Sequence, residues 1–489
     1  MPSIDAPAPA RGRLWWLYLA AGVLIYAFLA WWFPLLSHVR RAPPGDIRTF
    51  APALPGGLVY AALILTLFAL LLAAFRHAKR HGLGHRPLAT LLVGALAMAL
   101  PLLLVYPINA TDVFRYVVRG RIASTHAANP YLDPPSVFIG DPFIPLTGEW
   151  AGETSPYGPL WEIVAAGLTA VSGDNLLAGV LLFKGLALAA FLITGVLIWQ
   201  LMPDERRPSY LLLWVWNPAL LLTFVANGHN DALMILWLVL GYWLGRRGRP
   251  LLGFWIMALA ALVKPVALLA LPLFFIAWLR DRPPGRARLG WTAAALGGAA
   301  GLAWLAFLPW AGEAGIWRTP VELALRLLRE ATSGASFSPA VWFYVALGER
   351  VGIETIGRVG QLLLVGLLAM LLWLGWRGRS ARRGAADAFF GYIVTALNFR
   401  IWYAVWPFPW LLLDAGMGDA ADKRADYRLR AGLWFLLTSQ LSVVLYGHLR
   451  VFLLGGDQFL AHLIGVPLVF GLPWLLALYP RQSSNPSIF

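Results

Sequence analysis

The 489-residue chain has no cysteine. Disulfides and thiol nucleophiles are therefore excluded, and the redox compartment is left open. Charge is scarce: charged residues make up 13% of the chain against 59% hydrophobic ones. With a mean hydropathy of +0.67, a soluble enzyme is excluded. The sequence contains no Gly-rich phosphate loop, zinc-protease motif or DxD pair. Nucleotide binding and a dedicated metal site are thus without support, the expected cofactor is none, and a divalent metal is unsupported. No soluble domain, linker, low-complexity stretch or repeat is visible. The apolar stretch 14–33 is too long for a signal core and lacks a small-residue cleavage site after it, so a retained span is expected.

Long apolar runs, in contrast, are abundant, and each of about 18 residues or more reads as a membrane-spanning helix. The 25 tryptophans suit rings placed at lipid–water interfaces. A formal charge of +15 raises the question of nucleic acid, but the arginines fall in short clusters between hydrophobic helices. Membrane orientation accounts for that pattern, and no nucleic-acid partner is expected.

The runs can be followed as fourteen crossings of a single all-α, polytopic membrane domain spanning residues 1–489, with both termini inside. The spans are 14–33, 56–76, 87–107, 175–201, 210–226, 232–245, 251–263, 266–280, 289–309, 355–376, 387–399, 404–414, 431–448 and 459–479. Residues 108–174 and 310–354 become large external loops. Each carries a helix read as lying in the interface, over 155–173 and 320–331, the latter with charges opposite leucines at helical spacing. Of the 39 Lys and Arg, 24 fall in the inner segments and 13 in the outer ones, with Lys184 and Arg358 inside helices. The bias has the expected sense.

This topology gathers polar residues at the outer ends of helices: Asp112, His229, Asn230, Asp231, Lys264, Arg400 and Tyr403. Charges at membrane depth are costly and face a cavity or a partner. A carboxylate can take a proton from an acceptor hydroxyl. Lys, Arg and His can offset the charge of a leaving phosphate. Together they sketch transfer of a group from a lipid phosphate to a hydroxyl.

Several patches carry a family resemblance: Asp112-Val-Phe-Arg-Tyr116, Gly120, Asn129-Pro-Tyr131 and Tyr157-Gly-Pro-Leu160. They resemble the external-loop pattern of GT-C glycosyltransferases, nearest to bacterial polyprenyl-phosphate-mannose-dependent mannosyltransferases and the first-mannose enzyme of anchor biosynthesis. Gly228-His-Asn-Asp231 and Leu262-Val-Lys-Pro265 resemble later segments of the bacterial members. The resemblance implies a hexosyltransferase of a bacterial plasma membrane that moves a hexose, mannose first among them, from polyprenyl phosphate with inversion. The acceptor would be a hydroxyl of a glycolipid, glycan or protein. Asp112 takes the place of the catalytic base. The substrate-binding set is Arg115, Tyr116, Arg119, Tyr131, Tyr157, His229, Asn230, Asp231, Lys264, Arg400 and Tyr403. The chain departs from the pattern in having one acid where many members have two, and in an extra helical hairpin before the loop.

Plainer readings stand beside these. Thr111 or Asp112 could cap a helix starting at Val113, and Arg115, Arg119 and Arg121 could form a headgroup-facing stripe. Arg115 or Arg119 could instead orient Asp112. His229-Asn-Asp231 makes a turn in either case, and Lys264 could snorkel from a helix end. Asp133, Asp141, Glu149 and Glu153 read as solvated loop acids, and His448 and His462 as packing residues. The rival function is a transporter or flippase of lipid-linked sugars. Transporters, however, keep their charges near the midplane between repeated halves.

Overall fold

The structure is a computed structural model, which describes residues 9–83, 85–312, 315–332, 336–347, 350–418 and 422–478. The expected termini, residues 1–8 and 479–489, lie outside the described residues. Helices dominate, and among the described residues the only β pairing consists of two isolated bridges, Pro34 with Val105 and Gly312 with Gly315.

Every apolar run read from the sequence is helical, including the two interfacial segments, now Pro159–Ser172 and Arg318–Thr332. The count of fourteen crossings is not reached. Seven helices among the described residues are long and apolar enough to span a membrane, or eight if one bent pair counts as a span. The shortfall is one of length: Pro87–Leu103, Pro250–Val263 and Pro265–Arg280 are apolar but shorter than a full span. The bent pair is the run expected at 210–226. It breaks by 43° between Arg207–Val215 and Pro218–Ala226, because Pro218 cannot donate to the preceding turn. Asn217 instead accepts from the Ala219 amide and starts the second half. The architecture fits a multi-pass membrane protein.

In Arg318–Thr332, Val321, Leu325 and Leu328 form an exposed stripe at helical spacing. The opposite side carries Arg326, which pairs with Glu153 at 2.6 Å and Glu330 at 2.7 Å. The two long connecting segments are thus tied together.

Three local devices position the polar cluster. Lys184, buried in Leu176–Leu201, donates to the carbonyls of Leu103 (3.0 Å) and Val105 (2.5 Å) at the end of Pro87–Leu103. It satisfies acceptors that a helix end leaves open, and so fixes where the chain leaves towards Asp112. Gly228 turns the chain in the left-handed region (φ 65°), and a Cβ there would lie 3.0 Å from Lys184 Cγ. At Gly158, the N–H donates to Val263 O at 3.0 Å, and a Cβ would stand 2.2 Å from Leu262 O.

That last contact is backbone against backbone, so it cannot relax by a rotamer change. Gly158→Ala is expected to destabilise the protein by about 1–3 kcal/mol, measured as a lower melting temperature in detergent. Gly167→Ala, on the same stretch with open space around it, is expected to be neutral or slightly stabilising.

Candidate active site

Asp112 is the first residue of the helix Asp112–Ser124 and Asp231 the first of Asp231–Arg246. Neither acts as a helix cap. The Asp112 carboxylate is taken up by side chains, and Thr111 and Asn230 make no side-chain cap either. The capping alternative is thereby removed. Both carboxylates are buried (3% and 0% exposed), as is His229 between them (0%). Each sits where a helix start offers positive potential to an anion.

The geometry runs as a chain. Arg115 Nη2 lies 2.9 Å from Asp112 Oδ1, and Tyr157 donates its hydroxyl to the same oxygen at 3.0 Å. Asp112 Oδ2 has no hydrogen-bond partner and faces His229 Nε2 at 3.4 Å, itself without a partner. On the other side of the ring, His229 Nδ1 is 2.5 Å from Asp231 Oδ2. Lys264 Nζ donates to both Asp231 oxygens at 2.9 Å, and Trp406 Nε1 donates to Oδ1. Burial alone would raise the Asp112 carboxyl's pKa, but the Arg115 guanidinium beside it holds it below the usual carboxylate range.

Aromatic rings fill the gaps. Trp402 lies over His229 with ring centres 4.4 Å apart, Tyr403 stacks on Trp406 at 4.0 Å, and Lys264 sits over both Tyr403 and Trp406. Tyr116 meets His229 edge-on at 6.3 Å. Its hydroxyl, like both polar side-chain atoms of Asn230, is buried without a partner. Unpaired polar atoms this deep are costly, and here they collect beside the two carboxylates.

The structure therefore brings together Asp112, Arg115, Tyr116, Tyr157, His229, Asp231, Lys264 and Tyr403 from the expected set. Arg400 starts the turn before Tyr403 and has no carboxylate partner among the described residues. Tyr131 shapes the loop: its hydroxyl donates to Tyr157 O at 3.0 Å. Of the two candidate partners for Asp112, Arg115 holds it, and Arg119 lies over the Tyr157 ring at 5.7 Å. The headgroup stripe is corrected, since Arg119 and Arg121 are buried. So is the solvated reading of Asp141, which is buried and binds Arg121 and His126, each at 2.9 Å. Glu153 is held by Arg326. His448 and His462 pack as expected, bonded to backbone oxygens of Ala51 and Gln458.

Sequence reasoning missed Trp402, Trp406 and Glu162. Glu162 is buried, accepts from Ser155 Oγ, and through Ser155 braces the Tyr157 amide. A tryptophan at 402 or 406 in so tryptophan-rich a chain stands out only once the turn is folded. A lone glutamate in an otherwise apolar helix was the one available signal for Glu162.

Comparison with known proteins bears on the same residues. The sequence model of a family described as alpha-(1->6)-mannopyranosyltransferase, N-terminal domain, matches residues 15–280. Alpha-(1->6)-mannopyranosyltransferase A of Mycobacterium tuberculosis is 28% identical over 357 residues, covering 67% of this chain and 66% of that protein. The protein of the same name from Corynebacterium glutamicum is 29% identical over 185 residues, 37% of each chain. Alpha-(1->6)-mannopyranosyltransferase B of C. glutamicum is 28% identical over 174 residues, covering 32% of this chain and 27% of that protein. The matches thus span between about a quarter and two thirds of these relatives' lengths. No solved structure matches. The family match covers more than half of the chain and takes in Asp112, His229, Asp231 and Lys264, so the chain belongs to the family of the alpha-(1->6)-mannopyranosyltransferases.

Proposed function

We propose that this protein transfers mannose from a polyprenyl-phosphate donor to a hydroxyl of a glycolipid, glycan or protein, at the outer face of a bacterial plasma membrane. The observation that carries the reading is the buried Asp112, with one oxygen anchored by Arg115 and Tyr157 and the other without a donor. A carboxylate fixed this way keeps its free oxygen aimed at one place, as a base acting on a hydroxyl must. The names of the relatives support mannose as the sugar and an α-(1→6) linkage as the product.

In this reading the acceptor oxygen attacks the anomeric carbon as Asp112 draws its proton. The bond to the phosphate breaks on the opposite face, with inversion, and the grooves between the helices hold the polyprenyl tail. Phosphate charge is met by Lys264 and Arg400, with His229 beside them. Their shares differ. Lys264 is already paired with Asp231, whereas Arg400 has no carboxylate partner among the described residues.

Two measurements test this, using purified protein in liposomes with polyprenyl-phosphate mannose and a hydroxylated lipid acceptor. Asp112→Asn is expected to lower kcat by about 10²–10⁴-fold, the range of a lost general base. Transfer as fast as wild type removes Asp112 from that role, and labelled donor crossing the bilayer without transfer favours the flippase reading. Arg400→Gln is expected to raise the KM for the donor by roughly ten- to a hundredfold, since a charge-assisted contact contributes about 1.5–3 kcal/mol. Its kcat should change less. An unchanged donor KM removes Arg400 from the phosphate site.

A further inference from the structure

We infer that Asp112 and His229 form one proton-accepting unit, in which the proton taken from the acceptor hydroxyl comes to rest on His229 Nε2 while Asp231 holds the ring. This rests on the transfer reading above and concerns where its proton goes.

Asp231 receives both contacts of Lys264 and the indole N–H of Trp406. It is therefore an ionised, acceptor-only group, and the hydrogen on His229 Nδ1 points to it. In the resting state we assign, the ring is neutral and its Nε2 lone pair faces Asp112 Oδ2. Asp112 Oδ2 and His229 Nε2, both buried, stand 3.4 Å apart, close enough for one proton to pass between them. Asp112 itself is a poor final holder, because Arg115 stabilises its charged form.

The ring cannot swing away. Trp402 covers one face, and Gly228 packs against Lys184 and Val113. The charged and titratable groups around His229 are Asp112, backed by Arg115 and Tyr157, Asp231, backed by Lys264, and the phenol of Tyr116. The Lys184 ammonium is directed to backbone carbonyls instead.

In the step, the acceptor O–H bond breaks and that oxygen's electron pair forms the bond to the anomeric carbon. The carbon–phosphate oxygen bond breaks with its pair left on the phosphate. The proton passes through Asp112 Oδ2 to Nε2, giving an imidazolium between two carboxylates. Water or the departing phosphate monoester then collects it. His229 works through Asp112 and is a positioning and proton-holding residue.

The test compares wild type, His229→Gln and Asp112→Asn. Wild-type kcat should show an acid limb that depends on His229, because a protonated ring can accept nothing. In His229→Gln, kcat should drop at least about tenfold, with its acid limb moved to lower pH. Identical acid limbs in the two proteins overturn the inference. So does a wild-type limb in the carboxylate range, which decides the matter even where the variant does not fold. Infrared titration of the detergent-solubilised protein is independent of turnover. The wild-type minus His229→Gln difference should show an imidazolium appearing before any carboxylic acid, and the reverse order overturns the inference. Absence of mannose transfer by wild type counts against the transfer reading, and the infrared result still decides the proton unit.

Discussion

Two carboxylates excluded from water within hydrogen-bonding reach of one imidazole cannot exist without cations held against them. Isolated charges at that depth cost several kcal/mol each after relaxation. Arg115 meets one acid and Lys264 the other, and the rest of the structure serves to deliver these partners. Arg115 arrives on the same helix as its acid, one turn on. Lys264 comes from a different hairpin, so its delivery depends on the break that ends Pro250–Val263 and on the close backbone approach at Gly158.

The short helices follow from the same demand. A helix that crossed the bilayer without interruption would carry its backbone past the cluster with every amide satisfied internally. Ending helices at Asp112, Asn230 and Lys264 frees N–H groups, carbonyls and side chains to converge. Irregular backbone at such depth is tolerated where protein encloses it. Lys184 illustrates the remedy, a buried ammonium bonded to the open carbonyls after Leu102.

Much of the architecture was legible from hydropathy alone. The apolar runs became helices close to where periodicity and proline placed them, and the stripe at Val321, Leu325 and Leu328 lies exposed as a 3.6-residue repeat implies. Span number was not legible, since a twelve-residue apolar run looks alike whether it crosses or stops midway. At the cluster, the residue types Asp112, His229, Asp231 and Lys264 could be named but not their pairing. That Lys264 reaches Asp231, 33 residues away, and that Trp406 joins from 175 residues away, depends on tertiary packing with no local signature. Asp141 was misjudged for a related reason. An acid in a polar loop looks solvated until Arg121 and His126 are seen to close over it.

The hydrogen bond between Gly158 N and Val263 O has one more effect. Tyr157, which holds Asp112, comes one residue before the donor, and Lys264, which holds Asp231, one residue after the acceptor. The two walls of the cluster are thus surveyed from a single benchmark. The bond thus couples the placement of Tyr157 to that of Lys264, and with them the separation of the two acids.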